Sequence, residues 1–285
     1  MAILLKTRQK DLDGFFVRRI LPNAAKRMVG PFIFVDHMGP ADFGAGNGID
    51  VRPHPHIGLA TITYMMEGSL LHRDSLGNNL EILPGDVNWM TAGKGIVHSE
   101  RETIEVKSKP HRLNGMQCWM ALPKASAEVA PSFNHIKRAQ LPHYMHDGVL
   151  KRLIAGEAHG LTSPIKTYSP MFYLDVLAKA DRTIARPNTE QECMVYVLDG
   201  QVEIDNQDYE AGDVVLLEEE TCLRANDNCR LLMLGGESWP EIPYIEWNFV
   251  SFDRERIEKA KQDWREQRFP SIPGDDNEYT PLPED

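Results

Sequence analysis

Tyr64-Met65-Met66-Glu67-Gly68-Ser69-Leu70 and Tyr196-Val197-Leu198-Asp199-Gly200-Gln201-Val202 follow one pattern: an aromatic residue, two apolar residues, an acid and a glycine, and then the start of a second strand. Further along, Pro84-Gly85-Asp86-Val87 is matched by Ala211-Gly212-Asp213-Val214 at a similar offset. The glycines supply tight turns, and an Asp after Gly can bond turn backbone. Around these turns lie short β-prone runs, among them Thr61–Met66, Leu80–Leu83, Met194–Leu198 and Val214–Leu217. Short strands with regularly spaced turn signals predict an all-β barrel or sandwich. The repeat predicts two barrels of one type in tandem.

The expected organisation is a first barrel over residues 1–122, a linker over 123–142 with prolines at 123, 131 and 142, and a second barrel over 143–238. Residues 239–285 are expected to form a C-terminal helix and tail packing back on the body. Phe252 to Phe269 reads as helix, with Ile257, Ala260, Lys261 and Trp264 at i, i+3, i+4 and i+7. Ser251 or Asp253 can cap its start, and Pro270 ends it.

The chain of 285 residues is 42% hydrophobic and 26% charged, which is ordinary globular composition. It lacks an apolar run long enough for a transmembrane helix, and its first residues lack a signal-peptide core. The reading is a soluble cytoplasmic protein. A net charge of −11 argues against direct nucleic-acid binding by counterion release. The basic cluster Lys6, Arg8, Lys10, Arg18, Arg19, Lys26 and Arg27 reads as a solvated face, partly offset by the acidic tail at Asp275, Asp276, Glu278, Glu284 and Asp285. Cys118, Cys193, Cys222 and Cys229 form no Cys-x-x-Cys pair and read as reduced thiols. An acidic chain with two barrel cores has enough interior to stand as a monomer.

Chemistry concentrates in two motifs, His54-Pro55-His56 and His98-Ser99-Glu100. On an extended segment, side chains two apart share a face roughly 6–7 Å apart, so each motif aims two donors at one point. Pro53 and Pro55 hold the first pair extended, and Gly93 and Gly95 permit a sharp loop before the second. Together, His54, His56, His98 and Glu100 offer three imidazoles and one carboxylate to a single metal. With no thiolate in the set, a closed structural zinc site is disfavoured. Fe(II), Mn(II), Ni(II), Co(II), Cu(II) and Zn(II) all suit it, and iron is the expected metal. All ten histidines lie at or before His159, and Arg186 and Asn188 stand where the repeat would place His54 and His56. One such site per chain follows. His37, in the polar insert Asp36-His37-Met38-Gly39-Pro40, is a candidate to orient a ligand or touch substrate. Met38 is a candidate at the pocket mouth. The remaining histidines, His72 included, read as structural or solvated.

Phe34 to Pro40, Arg52-Pro53-His54-Pro55-His56, and Pro84 through Trp89-Met90-Thr91-Ala92-Gly93 to Glu100 closely resemble the pirin family of the cupin superfamily. The likeness extends to Leu113-Asn114-Gly115-Met116-Gln117, to the second barrel and to the C-terminal segment. His72-Arg73-Asp74-Ser75-Leu76-Gly77 is similar to the bacterial branch. The resemblance implies two tandem cupin barrels (double-stranded β-helix, or jelly-roll), metal in the first only, iron on His54, His56, His98 and Glu100, and a monomer. It adds Gln117 to His37 and Met38 as candidate pocket residues. Two functions are implied. One is quercetin 2,3-dioxygenase-like ring cleavage of a flavonol or similar enolic aromatic with O2, in which Glu100 is both ligand and base. The alternative is a non-enzymatic, iron-binding, redox-responsive regulatory protein that acts through contacts with a protein partner.

Overall fold

The computed structural model describes residues 2–12, 15–218 and 221–283. Glu284 and Asp285 of the acidic tail therefore lie outside the described residues. Its regular structure is mostly β-strand, and its contacts divide it into two units. One gathers residues 1–8, 19–34 and 139–240, and the other residues 9–18, 35–138 and 241–285. Neither unit is continuous in sequence, unlike the linear division at 122 and 142 expected from composition.

The two units share a strand plan. In one, Leu59–Glu67 lies between Val87–Thr91 and His111–Ala121. In the other, Glu192–Asp199 lies between Val214–Leu217 and Cys229–Gly236. Likewise Leu70–Asp74 pairs with Asn79–Ile82 and Ile96–Arg101, as Gln201–Ile204 pairs with Gln207–Glu210 and Leu223–Ala225. The sequence repeat is thus a repeat of the fold, and the turn glycines show why. Gly68 and Gly200 have φ of +72° and +75°, and a Cβ on either would lie 2.5 Å from a backbone carbonyl oxygen, that of Arg112 or of Asn228. Only glycine satisfies both constraints.

One strand differs between the units. Asp50–His56 pairs along most of its length with Ile96–Arg101. Its counterpart in the other unit is reduced to a single bridge, Thr183 to Arg224. In that unit the interior is apolar, filled by Leu153, Phe172, Leu174, Val195, Leu231 and Met233 among others.

The C-terminal helix runs Arg254–Arg265, shorter than the Phe252 to Phe269 expected. Asp253 caps it by accepting from the Glu255 N–H. It ends before Pro270, where Gln267 takes a φ of 53°. The expected stripe of Ile257, Ala260, Lys261 and Trp264 is its buried face. Ile257, Ala260 and Trp264 pack with Ile57, Val97, Phe249 and Ile272. Ile57 and Val97 directly adjoin His56 and His98, so the helix backs both histidine strands.

Candidate metal centre

His54 and His56 lie on Asp50–His56, and His98 and Glu100 on Ile96–Arg101. The strands run antiparallel with His98 opposite His54. This register converts two local His-x-donor pairs into one cluster: His54, His56 and His98 each offer a nitrogen, and all three lie within 4.8 Å of one another. Nε2 of His56 and Nε2 of His98 are 3.1 Å apart.

The histidines are oriented from behind. The Arg52 carbonyl accepts from His54 Nδ1 at 2.9 Å, and the Asn248 carbonyl accepts from His56 Nδ1 at 3.1 Å. A proton held on Nδ1 leaves the Nε2 lone pair facing inward, as a metal-binding imidazole requires. Burial lowers the pKa of His54 to about 4, and burial together with the neighbouring imidazoles holds His56 and His98 well below the ordinary value. The rings are therefore neutral at pH 7, the protonation state of a ligand. Nδ1 of His98 is buried without a partner among the described residues. Facing lone pairs of neutral imidazoles repel one another unless a proton or a cation lies between them, so the donor set fits a divalent first-row metal.

Glu100 is outside the group of three mutually close nitrogens. The expected four-donor set appears as three nitrogens, and the Glu100 carboxylate is not among the atoms within 4.8 Å. The pairing with Asp50–His56 shifts register between His98 and Glu100, which sets Glu100 opposite Val51. Its Oε1 lies 3.0 Å from the Thr63 hydroxyl, which is also 2.7 Å from Oε1 of Gln117. Burial pushes the Glu100 carboxyl above its usual range, against the opposing effects of His72 and Thr63. A hydroxyl has one proton to donate. When Thr63 donates to Gln117, it accepts from the protonated form of Glu100.

Of the other sequence candidates, Gln117 joins the site through Thr63. His37 donates from Nε2 to Asn114 Oδ1 at 2.7 Å, and burial lowers its pKa. Met38 packs in an apolar cluster with Met65 and Leu113. Neither belongs to the nitrogen cluster.

Sequence reasoning missed His72. On Leu70–Asp74, His72 lies opposite Glu100, and Asp74 opposite His98. The pair is buried, with His72 Nε2 donating to Asp74 Oδ2 at 3.1 Å. The His72 ring stacks on Phe133 at 4.4 Å and lies 5.4 Å from the His98 ring. The sequence did hold a signal: His72-x-Asp74 has the same i, i+2 form as His98-x-Glu100. Trp119 was missed as well, and its ring meets that of His56 edge-on at 5.0 Å.

Ser99, between His98 and Glu100, donates to Asp275 Oδ2 at 2.6 Å. Arg101 reaches the same carboxylate from Nε and Nη2, each at 2.9 Å. Thr280 donates its N–H to the Pro53 carbonyl at 2.8 Å. The C-terminal segment is thus fastened to both strands that carry the histidines.

Paired sheets in a repeated plan, with histidines from two adjacent strands converging in one unit, define a tandem cupin able to hold a metal ion. Comparisons with known proteins agree. Residues 14–120 match the Pirin family model, and residues 173–270 match the Pirin C-terminal cupin domain. A pirin-like protein of Caulobacter vibrioides is 46% identical over 99% of this chain and 99% of its own. The chain belongs to the pirin family. A crystal structure of a quercetin 2,3-dioxygenase from Acinetobacter baumannii is 33% identical and superposes with a TM-score of 0.90 over 100% of this chain and 95% of that one. A bacterial pirin of Escherichia coli, solved in complex with nickel(II), shares the fold at 19% identity, with a TM-score of 0.67 over 84% of this chain and 100% of its own.

Proposed function

We propose that the chain is a metal-dependent dioxygenase of the quercetin 2,3-dioxygenase type, which opens the ring of a flavonol or similar enolic aromatic with O2. Iron is the proposed metal, on His54, His56 and His98, with Glu100 completing the set. The observation that carries this reading is the buried group of three neutral imidazole nitrogens within 4.8 Å of one another. The likeness to the Acinetobacter enzyme supports the reaction class.

The bound metal supplies a Lewis acid and a template for the enol oxygen and O2. The chain's own residues do the rest. The Arg52 and Asn248 carbonyls fix the orientation of His54 and His56. Glu100 takes the enol proton, and the Thr63 hydroxyl holds the protonated carboxyl while itself anchored on Gln117. The burial of His56, His98 and Trp119 keeps bulk water from the reacting centre. In this reading the protein works as a monomer in the cytoplasm, where its free thiols stay reduced.

The test is anaerobic reconstitution with Fe(II), then oxygen uptake with quercetin, with His56→Ala as control. Metal-dependent uptake with a ring-cleaved product, absent in the variant, is the expected result. Tight iron binding without uptake on quercetin or related enolic aromatics would overturn it.

One observation favours a second reading, a redox-responsive binding protein. The bond from Ser99 to Asp275 links the strand of His98 and Glu100 directly to the C-terminal segment. Equal affinity for a captured protein partner in the Fe(II) and Fe(III) forms would exclude that reading.

A further inference from the structure

The second barrel, which has no His-x-His pair, holds a buried ammonium with no countercharge among the described residues. Val149 and Leu153 belong to the apolar core of that unit, and Lys151, two residues from each, shares their face of the strand Val149–Ala158. Lys151 is 3% exposed. Its Nζ donates to the Ala185 carbonyl at 2.7 Å and to His159 Nε2 at 2.9 Å, and it lies 5.8 Å from the centre of the Tyr144 ring. No carboxylate among the described residues pairs with it. Burial lowers the Lys151 pKa to about 8, and burial with the Lys151 charge lowers that of His159 to about 4. At neutral pH the pair is thus an ammonium and a neutral imidazole.

An ammonium can only donate, so Nε2 of His159 is the acceptor and the ring proton sits on Nδ1. His159 lines a cavity of about 630 Å³, within the size range of small-molecule sites. Thr162, Thr167, Tyr168 and Asn188 add polar groups to its wall, and Leu161 and Met171 add apolar surface. One wall is held in place by Arg186, which donates from Nε to the Asn188 carbonyl at 3.2 Å and from Nη2 to the Gln191 carbonyl at 2.5 Å. With a third bond, from Nη1 to the Glu218 carbonyl at 2.7 Å, each nitrogen of the guanidinium holds one backbone carbonyl. Glu157 also lines the cavity, but it is exposed, where water screens its charge.

We propose that this cavity is a binding site for a small organic carboxylate, which accepts from Nδ1 of His159 and supplies the negative charge that Lys151 lacks. The imidazole then passes polarisation from the ammonium to the anion. It mirrors a carboxylate behind a metal-bound histidine, with the charges reversed. A monoanion matches the single charge of Lys151. The mixed wall suits a ring-bearing acid. The site is independent of the histidine centre and of the activity proposed for it.

The test uses 4-fluorobenzoate with 4-fluorobenzamide as neutral control, followed by fluorine NMR on the full chain and on Lys151→Met, His159→Phe and His56→Ala. The acid is expected to bind saturably to the parent chain and to His56→Ala. Loss of the charge (Lys151→Met), loss of the donor (His159→Phe) or use of the amide should each weaken binding by about tenfold or more. Lys151→Met should keep or raise the thermal midpoint without ligand, because it removes an unpaired buried charge. His159→Phe, which keeps the ammonium, carries the same test if Lys151→Met does not fold. No saturable binding, equal affinity for acid and amide, or loss of binding in His56→Ala but not at Lys151 or His159 would overturn the proposal.

Discussion

Asp275→Asn should free the C-terminal segment from the histidine strands while leaving the barrel intact. The Asp275 carboxylate accepts from Ser99 Oγ at 2.6 Å and from two nitrogens of Arg101 at 2.9 Å. The Asp275 side chain is 10% exposed and that of Arg101 14%. Hydrogen bonds to charged groups contribute about 1.5–3 kcal/mol each, but the two from one guanidinium are not additive, so the substitution should cost roughly 2–4 kcal/mol of local stability. That corresponds to about a 30- to 1000-fold faster opening-limited exchange. The Thr280 amide, bonded to the Pro53 carbonyl, reports it. Hydrogen exchange of a peptide spanning residues 275–283 should accelerate by that factor, while a peptide containing Val97 keeps its protection. Acid should reproduce the effect. Burial alone would raise the Asp275 pKa, but the bonds from Arg101 and Ser99 outweigh it and hold the carboxyl below its ordinary value of 3.8. The folded value is therefore lower than the unfolded one. This contribution is present above about pH 4 and is lost as pH falls through the folded value. In the Asn variant this group adds no acid dependence. An acceleration below about threefold in the variant would refute the claim that this carboxylate fastens the segment.

Other expectations follow from the same geometry. His56→Ala removes one of three converging nitrogens and should weaken metal binding by at least about 100-fold, read by metal content after dialysis; undiminished content would show that the three rings do not hold the metal. Thr63→Val should lower turnover by about 10- to 100-fold while metal content stays constant, and a parallel loss of metal would show that Thr63 supports the centre rather than Glu100. Gly200→Ala forces a Cβ to 2.5 Å from the Asn228 oxygen at a φ of +75° and should cost about 2–3 kcal/mol, read by thermal unfolding. Asp74→Ala leaves His72, the Leu76 N–H and the Asn78 N–H without their buried acceptor and should cost about 3 kcal/mol; an unchanged midpoint would show that water replaces it.

The parts legible in sequence were those set by local rules. The turn at Gly68 recurs at Gly200 because the same left-handed backbone and the same close carbonyl recur. His54 and His56 could be read as a pair because strand alternation and the flanking prolines act within a few residues. The helix stripe Ile257, Ala260, Lys261 and Trp264 was legible for the same reason. What escaped depends on pairing between distant strands. His72 enters the site because Leu70–Asp74 lies beside Ile96–Arg101 in one particular register. Glu100 meets Val51 across the sheet because the pairing slips one position beyond His98. The length of the helix turned on Gln267, whose left-handed backbone no propensity announces. Lys151 was not singled out in the sequence, and only the fold shows that it is buried beside Val149 and Leu153.

The division of the chain has a consequence for its biosynthesis. Residues 1–8 and 19–34 belong with residues 139–240, and Ile3 and Leu4 pair with Leu216 and Val215. A ribosome therefore releases the first segments long before their partners exist. Between residue 34 and residue 139, synthesis at about 5–20 residues per second leaves an interval of roughly 5–20 seconds in which Phe32 and Ile33, both fully buried in the finished protein, have no core to enter. The other unit must wait longer, because its last segment begins at Glu241. Neither unit can complete itself early, so apolar segments of both stay without their full core during translation. Cutting the gene between the two family-model matches should yield two fragments that each lack strands or helix of their own core.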